Sequence, residues 1–179
     1  MLQHIRSLRC EITDGLNPPD GLDFLRDYSP SLCQLGRLKL SSGRLPYPAH
    51  IGTYPAFQHT LLYLSLSYCR VTASGIVTLV NYFPNLAHLD LCALPRMPDD
   101  QPTPPFSRPL QKLSVDEFHG NGGLGLIDRL VGTHPQCDQV TIRMDSYSCP
   151  SLSQHVIDGV YASVTRLNLK CELRRASNN

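Results

Sequence analysis

One six-residue pattern, L-x-x-L-x-L, recurs seven times along 179 residues and sets the terms for everything else the chain can do. Three copies are strict: Leu35-x-x-Leu38-x-Leu40, Leu61-x-x-Leu64-x-Leu66 and Leu86-x-x-Leu89-x-Leu91. Four are looser: Ile5-x-x-Leu8-x-Cys10, Leu110-x-x-Leu113-x-Val115, Cys137-x-x-Val140-x-Ile142 and Val164-x-x-Leu167-x-Leu169. Their middle residues are separated by 30, 26, 25, 24, 27 and 27 positions. A near-constant interval of this size marks a stack of structural repeats. One unit cannot bury its apolar face alone, and neighbours stacked on it can. The alternation of leucine and polar residues late in each copy suits a short strand with one buried face. Because every strand is followed by a return to the start of the next, the strands should run parallel.

The returns read as two kinds. Ile76, Leu79, Val80 and Phe83 recur at helical spacing, so a helix is expected from Ala73 to Tyr82, capped by Thr72 or Ser74 and stopped by Pro84. Further helices are expected over 21–28, 124–132 and 152–161. The stretches 46–55 and 95–109 carry too many prolines for that, six of them in the second, and should cross as irregular or polyproline-like segments. Met97 to Phe106 is expected to be the most mobile loop.

Composition excludes more than it assigns. A net charge of +1 with both signs scattered gives no footing for a nucleic-acid partner or an acidic membrane surface. No apolar run approaches the roughly 18 residues of a membrane span. The seven cysteines are odd in number and show no C-x-x-C spacing, so they read as reduced thiols at packing positions in a cytoplasmic or nuclear protein, not as disulfides or zinc ligands. No cofactor or metal is expected.

The copy Leu61-Leu62-Tyr63-Leu64-Ser65-Leu66-Ser67-Tyr68-Cys69-Arg70-Val71-Thr72, continued through the helix to Phe83-Pro84-Asn85-Leu86, resembles the cysteine-containing class of leucine-rich repeats. That class is best known from F-box proteins, and the Phe-Pro-Asn-Leu junction and Pro-rich crossings are similar to fungal F-box-like members. The resemblance implies a strand, a cysteine, a capped helix and a lead into the next strand. In the neighbouring copies Ser41 or Ser42, and Ala93 or Leu94, would stand where this one has Cys69. The expected fold is therefore a single α/β leucine-rich repeat solenoid, or horseshoe, over 1–179. It would have about seven short parallel strands and mixed helical and Pro-rich irregular convex crossings. Residues 1–28 already belong to the repeat, so the chain reads as a fragment lacking an N-terminal cap or F-box. The resemblance implies the non-catalytic, substrate-binding region of a ubiquitin-ligase subunit, with the ligase adaptor reached only through an absent F-box. A stand-alone regulatory scaffold or inhibitor, GTPase-regulator-like or other, is the alternative.

If the leucines point inward, the residues between them form three outward columns on the concave side. One is Ser7, Arg37, Tyr63, His88, Lys112, Gln139 and Arg166. The central one is Arg9, Lys39, Ser65, Asp90, Ser114, Thr141 and Asn168, and the third is Glu11, Ser41, Ser67, Cys92, Asp116, Arg143 and Lys170. From these, Arg9, Arg37, Lys39, Tyr63, Ser65, His88, Asp90, Lys112, Asp116, Arg143, Arg166 and Lys170 are the candidate contacts for a protein target. Tyr63, Tyr68 and His88 should lie together as an aromatic anchor.

Enzymatic readings fare poorly. His88, Asp90 and Cys92 share a strand face, but alternate residues are about 6.6 Å apart, and nucleophile–base pairs need about 3 Å. Gly120-Asn121-Gly122-Gly123-Leu124-Gly125 lacks the Lys-Ser/Thr of a phosphate loop, and no G-x-S-x-G or H-E-x-x-H occurs. No compact pocket of converging polar groups is expected on the concave sheet.

Overall fold

The computed structural model describes residues 4–11, 25, 29–44, 55–94, 106–116, 137–145 and 164–172. Seven strands form a single sheet: β1 Ser7–Glu11, β2 Arg37–Arg44, β3 Tyr63–Arg70, β4 His88–Cys92, β5 Lys112–Asp116, β6 Cys137–Asp145 and β7 Val164–Glu172. Their order in space is their order in sequence, β1 to β7. Every neighbouring pair is parallel. The protein is thus α/β with one parallel sheet, an arrangement compatible with a solenoid. The register follows the repeat, since Leu8, Leu38, Leu64, Leu89, Leu113, Val140 and Leu167 pair in one continuous row.

The leucines explain the stack. Leu35, Leu61, Leu86 and Leu110 form one inward column, Leu38, Leu64, Leu89, Leu113 and Val140 a second, and Leu40, Leu66, Leu91, Val115 and Ile142 a third, all buried. A fully buried side chain of this size contributes roughly 1.5–3 kcal/mol, so each turn owes its stability to the turns above and below it. A fourth column, not foreseen from the repeat pattern, consists of Leu32, Phe57, Phe83 and Phe106, all buried. The rings of Phe57 and Phe83 stack at 5.9 Å. Two short 3-10 turns, Ser29–Leu32 and Pro55–Phe57, deliver Leu32 and Phe57 into this column.

Polar groups lace the turns where strands begin. The Arg6 carbonyl accepts from Gly36 and Arg37 N–H, the Gly36 carbonyl from Leu62 and Tyr63, the Leu62 carbonyl from Ala87 and His88, and the Ala87 carbonyl from Gln111 and Lys112. The shared acceptor is lost at β6, where Asp138 N–H goes to Leu110 and Gln139 N–H to Gln111. Side chains reinforce the same seam. Thr60 donates to the Leu35 carbonyl at 3.0 Å, Asn85 to that of His59 at 2.6 Å, and Arg108 to that of Phe83.

The helix α1, Ala73–Tyr82, has the expected limits. Thr72 is its cap, accepting from Gly75 N–H at 3.0 Å, while Ser74 hydrogen-bonds the Thr72 hydroxyl. Glycine at 75 lets that N–H approach, because a Cβ there would stand 3.1 Å from Thr72 Oγ1 and 3.2 Å from Val71 Cγ2. The buried face is wider than the periodicity suggested, adding Ala73 and Val77 to Ile76, Leu79 and Val80.

Two positions correct the reading of the repeat. Gly43, not Ser41 or Ser42, pairs with Cys69. Tyr68 and Ala93 both adopt positive φ, 56° and 48°, at the same place five residues after their strands begin. The left-handed residue reverses the inside–outside alternation, so Tyr68 turns out to solvent, and Cys69 and Leu94 turn in. Cys69 Sγ sits 3.4 Å from the Ser67 carbonyl and 3.7 Å from that of Leu40. The expected helices over 21–28 (Leu25 apart), 124–132 and 152–161 lie outside the described residues. So do the crossings at 46–54 and 95–105, nearly all of the Met97–Phe106 loop, and the Gly120–Gly125 run.

Leu66→Ala is expected to destabilise the fold by roughly 2–5 kcal/mol and Thr72→Ala by about 1 kcal/mol, both read by urea unfolding. Equal effects would mean the leucine columns do not carry the core. Burial raises the Cys69 thiol from 9.0 to about 11. Unfolded thiols then ionise first, so stability should fall as pH climbs above 9.0 toward that value. In the native protein at pH near 8, timed alkylation should label exposed Cys33 well before Cys69 and Cys137.

Candidate protein-binding face

The face of the sheet opposite the leucines is where the polar columns lie, and the pairing assembles all three as expected. Arg37, Tyr63, His88, Lys112 and Gln139 follow one another across the strands, as do Lys39, Ser65, Asp90, Ser114 and Thr141, and Ser41, Ser67, Cys92, Asp116 and Arg143. Arg9 is exposed on β1 in line with Lys39. The backbone of β7 places Arg166 and Lys170 at the matching register positions, and their side chains lie outside the described residues.

The side chains on β2 to β6 form a connected polar surface. The Arg37 guanidinium lies 4.8 Å from the centre of the Tyr63 ring, and Lys39 Nζ lies 5.8 Å from it. Tyr63 and His88 rings are 6.5 Å apart. The Tyr63 hydroxyl donates to Asp90 Oδ2 at 3.0 Å, and Ser65 Oγ lies 3.5 Å from the same oxygen. Burial first, then the charge of Asp90 and the bond to it, push the Tyr63 pKa up. At the other side of the face Arg143 pairs with Asp116 at 3.2 Å. Arg143 Nε is buried without a hydrogen-bond partner among the described residues.

Three expectations change here. Ser65 is on the predicted side but only 6% exposed, and Thr141 only 7%. Parallel strands lie about 4.8 Å apart, so a short side chain in the central column is overhung by longer neighbours. Ser65 therefore supports Asp90 and is a poor direct contact. The same contrast in length produces what the sequence was expected to lack. Around small Ser114, the side chains of Arg37, Tyr63, His88, Asp90, Lys112, Asp116 and Arg143 enclose an open depression of about 400 Å³. Lastly, Tyr68 stands five residues beyond Tyr63 along β3, past the end of the β3–β4 pairing, and the Tyr63–His88 pair is formed without it.

Burial, then the negative charges of Asp116 and Asp90, push the Cys92 thiol up, the opposite of what a nucleophilic thiolate requires. No group of three or more potential metal ligands gathers among the described residues, and none of their helices is long and apolar enough to cross a membrane. Asp90→Asn is expected to bring the Tyr63 pKa down toward its ordinary value of 10.0, followed by NMR titration of ring-labelled tyrosine. An unchanged titration would mean that Asp90 does not polarise this hydroxyl.

No family model, curated protein or solved structure matches the chain.

Proposed function

We propose that this chain is a non-catalytic protein-recognition domain of the leucine-rich repeat type, and that its target lies across the outward columns of β2 to β6. The observation that carries the reading is an ordered parallel sheet face that no described element covers. Parallel sheets are ordinarily covered on both faces. Here one face holds the leucine columns, while the other presents Arg37, Lys39, Tyr63, His88 and Lys112 in adjacent rows. Aromatic and arginine side chains are the groups that dominate binding energy at protein interfaces.

The cysteine, capped helix and Phe83-Pro84-Asn85-Leu86 lead-in support assignment to the F-box type of repeat, and with it a role in presenting substrates to a ubiquitin ligase in the cytoplasm or nucleus. In that role the face described here holds the substrate, and the ligase adaptor would be reached through an F-box outside these residues.

Affinity purification with the protein immobilised tests both levels. Tyr63→Ala with His88→Ala is expected to weaken capture of the partner by about tenfold or more, whereas Thr78→Ala on the helical side should leave it intact. Equal capture by all three would remove the face from the reading. Ubiquitin-ligase adaptor should co-purify only with a chain that carries an F-box, and its absence at every chain length would remove the ligase role.

A further inference from the structure

We infer that the depression between β2 and β6 takes an extended acidic peptide segment, lying across the strands with two carboxylates about four residues apart. The inference rests on the recognition reading above and names the chemistry of the partner.

The cations and anions of the depression are not equally committed. Asp116 is paired with Arg143, and Asp90 accepts from Tyr63, with Ser65 beside it. Arg37 and Lys112 form no ion pair among the described residues, and they flank the Tyr63–His88 pair on either side in one row. The sign offered to an incoming ligand is therefore positive on both sides of that pair. The Arg37 guanidinium carbon lies over the Tyr63 ring, 4.8 Å from its centre, and its N–H groups suit a carboxylate in the paired geometry arginine favours.

Spacing identifies the ligand as extended. Arg37 and Lys112 are three strands apart, about 14 Å at the usual separation of parallel strands. An extended peptide rises about 3.3 Å per residue, so about four residues reach from one cation to the other. Between them the Tyr63–His88 ring pair offers a surface for one apolar or aromatic residue. A nucleic acid fits less well, because Asp90 and Asp116 line the same depression and would repel a continuous row of phosphates. A peptide can place its acids at the two ends and its neutral residues between them.

Random linear peptides displayed on phage, selected against the full chain and against the double variant Arg37→Glu/Lys112→Glu, test this. Peptides selected on the unaltered chain should be enriched in Asp or Glu pairs about four apart, and should lose about tenfold or more in affinity on the double variant. Circular dichroism should show both proteins folded. Replacing the two acids by Asn or Gln in a selected peptide should give a similar loss on the unaltered chain, a readout that needs no protein variant. Selected peptides without acidic enrichment, or binding equally to both proteins, would overturn the inference while leaving protein recognition by this face intact. Preference for a single-stranded oligonucleotide probe over every peptide would overturn both.

Discussion

The whole structure depends on one strand being laid beside the next in register, with a constant offset of about one repeat. The lateral hydrogen bonds at each strand entrance fix that offset. A single carbonyl in each turn, from Arg6 through Ala87, accepts two N–H groups of the turn that follows. Leucine columns and backbone bonds demand the same register, and a slip of one residue would send every leucine to the solvent side. Local pattern and global packing therefore agree, which is the condition for a sequence to specify one fold.

That register has a consequence on the opposite side of the sheet. Residues far apart in sequence become neighbours at the spacing of adjacent strands. Arg37 meets Tyr63, Tyr63 meets Asp90, and Asp116 meets Arg143, each pair separated by about one repeat. The leucine columns tolerate little variation, whereas the outward positions can differ from turn to turn without cost to the core. A surface built this way can be shaped by altering side-chain length alone. Small Ser114 among long basic and aromatic neighbours creates a depression, and short Ser65 becomes covered.

The crossings obey a looser rule. The helix α1 and the turn Pro55–Phe57 have little in common as backbone, yet each leads a phenylalanine into the same buried column. What the stack requires of a crossing is an apolar side chain at the right height and a polar one to tie it to the turn before. Thr60, Asn85 and Arg108 do the second job with different chemistry. This explains how a ten-residue helix and a three-residue turn begun by Pro55 can serve the same sheet.

The sequence by itself determined the number of strands, their parallel order, their register and the helix from Ala73 to Tyr82, because these follow from periodic burial, and periodicity is written along the chain. It also placed every outward residue in its column. The phenylalanine column was written there too, at 57, 83 and 106, each three or four residues before a leucine pattern. Other features only the tertiary structure decided. Tyr68 and Ala93 turn left-handed to bring Cys69 and Leu94 inward, and nothing in their identity demands it. Whether Ser65 is open or covered, and whether Arg143 faces Asp116 or solvent, depends on the reach of side chains contributed by other turns. Those are distances between residues about one repeat apart, and they exist only once the stack has closed.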